Sequence, residues 1–89
     1  MKLQTYEGLR AVALDEIKGA LQRHGLDAAQ FDDGMDLLAA GVIDSFGFID
    51  LIGAIETRSG LSIDLAAVSP ETMTTLRGLI NGFLQGASA

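Results

Sequence analysis

The sequence predicts an all-α fold, a four-helix bundle with a long loop between helices 1 and 2 and a short third helix. Three observations carry this expectation. Apolar residues recur at three- and four-residue intervals in separate stretches of the chain, the spacing of amphipathic helices. Gly25 and Gly60 stand where two of these stretches should stop, and Asp44-Ser45 and Ser69-Pro70 stand where two should start,. A length of 89 residues allows one small domain, and a single core is feasible at that size without metal or disulfide support,.

The first helix should run from about Thr5 to His24, with Leu9, Val12, Ala13, Ile17, Ala20 and Leu21 on its apolar face and Gly25 as its stop,. Residues 25–44 form a connection longer than most in compact domains, which Leu37, Leu38 and Val42 can anchor in the core,. A second helix occupies roughly Ser45 to Ser59 and ends at Gly60. Leu61, Ile63, Leu65 and Val68 then cross the domain, with a short helical turn around Asp64 to Val68. Ser69 can cap the final helix, Pro70 suits its first position and Glu71 complements its positive end. Met73, Leu76, Ile80 and Phe83 should form its buried stripe, flanked by Leu79 and Leu84, before a frayed tail,.

Ser45 is the residue with the most chemistry to offer. Counting from it at roughly 100° per residue, Phe48, Leu51, Ile52 and Ile55 fall within about 100° of arc, so Ser45 lies in the first turn of an amphipathic helix,. That turn has unpaired N–H groups and the positive end of the macrodipole, which favour a phosphodiester by roughly 0.3–1 kcal/mol. A serine acting as its own nucleophile needs an adjacent base, yet the one histidine, His24, lies in a different stretch, and there is no cysteine,. The pattern reads as a modification site whose hydroxyl another protein must activate. The plainer account is a helix cap, a position both Ser and Asp favour.

Asp44-Ser45 followed by an apolar helix, and preceded by Leu37-Leu38-Ala39-Ala40-Gly41-Val42-Ile43, resembles the 4′-phosphopantetheine attachment motif of acyl carrier and peptidyl carrier proteins. From about Leu3 to Leu84 the chain is similar to that family in length and helix order, and residues 55–63 resemble its helix-end segment. The resemblance implies that a phosphopantetheinyl transferase moves the arm from coenzyme A onto Ser45, with Asp44 beside it in the cofactor's site. The terminal thiol of the arm would then hold an acyl or aminoacyl group as a thioester. On this reading residues 1–89 are a single, free-standing carrier domain with an ordered core at about 3–84 and a frayed tail at 85–89. The protein would be no enzyme but the substrate of a loading ligase and of a downstream transferase or synthase, in a lipid, amino-acid-derived or secondary-metabolite pathway.

The net charge is −6, and its placement is uneven. Between Gly25 and Thr57 stand Asp27, Asp32, Asp33, Asp36, Asp44, Asp50 and Glu56, with no Lys or Arg among them. Such a surface repels the phosphates of nucleic acid, so no nucleic-acid partner is expected, whereas partners with basic patches would be steered to it. Asp32, Asp33 and Asp36 are expected to be ordinary solvating charges; Asp44 and Asp50, near Ser45, are the better candidates for recognition. The spacing rejects an EF-hand calcium loop, since Leu37 or Leu38 falls where its glycine belongs,. Gly-rich phosphate loops and Cys/His metal clusters are absent as well. Without cysteine, a signal-like start or an apolar run of the roughly 20 residues that span a bilayer, the protein is expected to be a cytoplasmic monomer that does not insert into membranes,.

The other face of the second helix holds Phe46, Asp50, Gly53 and Thr57. Phe46 should point outward, and with Asp50, Gly53 and Glu56 it makes a candidate surface for partner enzymes. Phe46, Gly47 and Gly53 also depart from the commonest pattern of the family, in which leucine follows the serine and the helix carries more acids. That departure favours a specialised carrier over one serving fatty-acid synthesis. The competing class is an unmodified acidic helical interaction module; a hydrolase built on Ser45 lacks a base.

Overall fold

The computed structural model describes residues 4–27, 31–63 and 72–88. They form four helices, α1 (Tyr6–Glu16), α2 (Lys18–Arg23), α3 (Ser45–Ser59) and α4 (Leu76–Ser88). Among the described residues there is no strand, only an isolated antiparallel bridge between Asp36 and Thr75. None of their helices is long and apolar enough to cross a membrane.

Thr5 is extended and its hydroxyl accepts the N–H of Gly8 at 3.1 Å, which starts α1 as the sequence leads one to expect,. A single helix from Thr5 to His24 does not form. The chain leaves the helical basin at Ile17, with φ −99° and ψ 10°, and resumes as α2. The apolar face keeps its phase across the break because Ile17 N–H still bonds Ala13 O at 3.1 Å and Leu21 N–H still bonds Ile17 O at 2.9 Å. Ile17, Ala20 and Leu21 therefore remain buried with Leu9, Val12 and Ala13. Gly25, at φ 69°, closes the segment.

The long connection is ordered by side chains that composition alone presents as solvating. Asp36 Oδ1 accepts the N–H groups of Leu38 and Ala39, both at 3.0 Å, and starts a helical turn that Gly41 ends at φ 74°. Its Oδ2 accepts the Thr74 hydroxyl at 2.7 Å, tying the loop to the approach of α4. Asp33 accepts the Tyr6 hydroxyl at 2.6 Å and Arg10 Nε at 2.8 Å, and its backbone carbonyl accepts Arg77 N–H at 2.9 Å. Asp32 caps the turn at Gly34 with a 2.8 Å bond. These three acids are thus structural. Leu37 and Val42 fill the core as expected, and Phe31 joins them.

Burial raises the Asp33 carboxyl, but the Tyr6 and Arg10 hydrogen bonds and the charges of Arg10 and Arg77 outweigh it and leave its pKa below the ordinary 3.8. The Thr74 hydroxyl, with the Ala39 and Leu38 amides, likewise lowers Asp36. A carboxylate whose pKa is depressed on folding contributes stability in full above its unfolded value and loses it as pH falls through the folded value. The side-chain ties that order the loop at 31–43 should therefore begin to weaken as pH falls below the ordinary 3.8 and be lost through the lower folded values,. Hydrogen exchange at Leu37, Leu38 and Ala39 should accelerate at about pH 3, corrected for intrinsic rates, while the core of α1 stays protected. Equal protection at about pH 3 and pH 6 would contradict this.

The final helix starts later than the sequence suggests. Ser69, Pro70 and Glu71, and the short turn expected at Asp64 to Val68, lie outside the described residues. The helix itself begins at Leu76, where the Thr75 hydroxyl accepts Gly78 N–H at 3.0 Å and donates to Thr72 O at 2.7 Å. A Cβ at Gly78 would collide with the Thr72 carbonyl, so only glycine fits. Leu76, Leu79, Ile80 and Phe83 are buried, Met73 only half so, and helical backbone continues through Ser88 where a frayed tail was expected.

Candidate functional site

Helix α3 presents the site, and its bounds follow from local signals. Asp44 is extended at φ −91°, and its carboxylate accepts Gly47 N–H at 2.7 Å. At the other end Gly60 adopts φ 75° and closes the helix with an N–H bond to Glu56 O. Asp44 is therefore the N-cap and Ser45 the first helical residue. The cap explanation for Ser45 fails on this geometry. Ser45 is exposed, and its hydroxyl has no partner among the described residues.

The buried face of α3 consists of Phe48, Leu51, Ile55 and Ser59. Ile52, expected on that stripe, is only half-buried against the core. It lies at the edge of the stripe, since the buried residues centre between Leu51 and Phe48 on the helical wheel. Ser59 is buried, donates to Ile55 O at 2.6 Å and accepts Leu61 N–H at 3.1 Å, so its hydroxyl is fully engaged.

Phe46 is 79% exposed, as its helical angle requires. Ile49, which the sequence reading passed over, is 64% exposed. The signal for it was an apolar residue one turn beyond Phe46 and outside the buried stripe. With Asp50 and Gly53 these two residues occupy positions i, i+3, i+4 and i+7, one continuous strip of surface leading from Ser45. Adjacent exposed apolar side chains beside a candidate modification site make this strip a candidate contact surface. Asp50 within the strip is exposed, and Glu56 on its flank is half-buried.

The two glycines of α3 differ. A Cβ at Gly47 would sit 3.3 Å from both Asp44 Oδ1 and Ile43 Cβ, so this glycine makes room for the cap and for the incoming chain. A Cβ at Gly53 would meet nothing. Nothing in the fold asks for glycine there.

A hollow adjoins this face on the side of α2. One part, of about 290 Å³, lies between α2 and α3 and is lined by Gly19, Ala20, Arg23, Ile43, Gly47 and Asp50 among others. An adjoining part of about 330 Å³ shares Arg23, Ile43 and Gly47 and reaches Asp44. No group of acids, histidines and cysteines among the described residues could hold a metal ion. His24 caps α2 and is exposed.

The chain is 27% identical to the D-alanyl carrier protein of Bacillus velezensis over 55 residues, covering 62% of this chain and 70% of that one. It is 34% identical to the D-alanyl carrier protein of Streptococcus suis over 50 residues, or 56% of this chain and 63% of that one, which is less than two thirds of the relative's length. No family model matches the chain, and no solved structure does. The two relatives support a function as a carrier protein.

Proposed function

We propose that the protein is a carrier that holds an acyl or aminoacyl group as a thioester on a 4′-phosphopantetheine arm attached to Ser45. The observation that carries this reading is the division of labour at the start of α3. Asp44 does the capping, which leaves an exposed, unbonded serine hydroxyl in the first turn of a 15-residue helix. Unpaired N–H groups and the helix dipole favour a phosphodiester at that position. The residues present fit such a group. When bound, the arm supplies the thiol that carries the cargo.

The chain itself supplies no base to Ser45. The Ser45 proton is taken, and coenzyme A is held, by a phosphopantetheinyl transferase; the Ser45 oxygen gains the phosphopantetheine and the remainder of coenzyme A leaves. Asp44 holds the turn that presents the hydroxyl. Phe46, Ile49, Asp50, Gly53 and Glu56 form the face on which the transferase, the loading ligase and a downstream transferase or synthase dock. Phe46 and Ile49 supply apolar area, Gly53 leaves the backbone open to close approach, and the acids attract basic partners. The names of the two relatives make an amino acid such as D-alanine a candidate cargo.

Incubation with coenzyme A and a broad-specificity transferase should add one phosphopantetheine to the intact mass, whereas an unmodified interaction module would show no change. Asp50→Lys should slow this reaction through slower association. The difference from the parent should shrink as added salt shortens the screening length to below about 8 Å. Equal rates at low salt would remove Asp50 from the docking face.

A further inference from the structure

The outward face of α3 has a gap in it. The buried residues Phe48, Leu51, Ile55 and Ser59 place the outermost line of the helix through Phe46, Gly53 and Thr57,. Phe46 and, beside it, Ile49 stand exposed at the end of that line nearest Ser45. Gly53 follows two turns after Phe46, roughly 10 Å along the axis, and a Cβ there would have nothing within 4 Å. Glycine weakens a helix interior relative to alanine, so the free domain gains no stability from it. One turn further on, the Thr57 hydroxyl donates to Gly53 O at 2.9 Å and so spends its proton inside the helix. The result is a bare stretch of backbone with two apolar side chains at one end and a bonded threonine at the other.

Charge decides what covers the gap. Asp50 and Glu56 stand beside it, and the one cation of α3, Arg58, is committed to α1 through ion pairs with Asp15 at 2.8 Å and Glu16 at 3.1 Å. A second copy of the chain is a poor occupant, since a two-fold contact about Gly53 would set Asp50 and Glu56 against their own counterparts in a protein of net charge −6,. We infer that the gap at Gly53 takes an apolar side chain projecting from a basic surface of the phosphopantetheinyl transferase, whose lysines or arginines meet Asp50 and Glu56. The inference rests on the proposed attachment at Ser45, which brings that enzyme against this end of α3. The floor of the gap is helical backbone whose carbonyl already accepts Thr57, and Phe46 and Ile49 rim it, so it suits an apolar group rather than a donor. Opposite charge speeds the encounter, and the filled gap holds the register. Gly53 thus selects among partners: a surface with a protruding apolar side chain fills the gap, and a flat one leaves it open.

The test uses the full chain, coenzyme A and a broad-specificity phosphopantetheinyl transferase, with attachment followed by intact mass across a range of carrier concentrations. Gly53→Ala should melt above the parent by about 2–8 °C and yet be modified more slowly. Gly53→Leu, which fills the gap, should lower kcat/KM by at least about fivefold, chiefly through KM, while circular dichroism shows the helices retained. Opposite signs in stability and rate are what a purely structural glycine would not give. An unchanged or faster rate for Gly53→Leu overturns the inference and leaves the carrier reading intact, because the strip then needs apolar area rather than a gap. A parent that sediments as a dimer, and as a monomer for Gly53→Leu, also overturns it and makes a second copy the occupant. Absence of any adduct on the parent overturns both readings.

Discussion

Ser45→Ala should yield a folded domain that takes up no phosphopantetheine. The loss should be complete, because a methyl group cannot accept the phosphoryl linkage and no neighbouring hydroxyl can replace it. Ser59 is buried with both its donor and its acceptor capacity used, and Thr57 donates to Gly53 O at 2.9 Å on the helix surface. The cost in stability should be small. A true N-cap replaced by alanine loses about 0.5–2 kcal/mol, but the cap here is Asp44, so Ser45→Ala should shift stability by no more than about 0.5 kcal/mol, the range of an exposed substitution. Asp44→Ala should show the opposite pattern and lose the capping energy itself. Intact mass and thermal melting of the two variants separate these outcomes. An adduct mapped by tandem mass spectrometry to Ser59 or Ser62 in the parent would sink the assignment.

That contrast between Asp44 and Ser45 also marks the boundary of what the sequence discloses. The limits of α3 are legible because both are local: an acid that bonds the third N–H after it, and a glycine that takes a left-handed turn. The break at Ile17 is not legible, because the apolar spacing runs straight through it and only backbone angles reveal the change. The start of α4 is misread for a related reason. Ser69-Pro70-Glu71 carries strong start signals, yet the helix begins where Thr75 is held by its own bonds to Thr72 and Gly78 and by the bridge to Asp36. Asp33 and Asp36 look like solvating acids because their partners Tyr6 and Thr74 are 27 and 38 residues distant in sequence. At the candidate site, spacing finds Ser45 and the outward Phe46. It misses Ile49, the exposed apolar residue one turn beyond Phe46.

The sharpest separation should come from Phe46→Ala and Ile55→Ala. Both remove large apolar groups from α3, nine residues apart, but the surroundings differ completely: Ile55 is 0% exposed and Phe46 is 79% exposed. Truncating Ile55 leaves a cavity and should cost about 2–5 kcal/mol. For a domain of this size each kcal/mol moves the melting temperature by roughly 4–8 °C, so the variant should melt at least about 8 °C below the parent. Ile52→Ala, which half-exposure makes a weaker probe of the core, should fall between the two. Phe46→Ala should melt within about 0.5 kcal/mol of the parent, since almost nothing in the chain touches the ring. Its effect should appear instead in the rate of arm attachment or cargo loading. An aromatic side chain buried at an interface commonly contributes 2 kcal/mol or more, which is about thirtyfold in rate when the contact forms in the transition state of docking. Adding Ile49→Ala should deepen that loss, because the two side chains lie one turn apart on the same strip. If Phe46→Ala destabilises the domain as much as Ile55→Ala does, or if the double variant is modified and loaded at the parent's rate, the strip is no docking face.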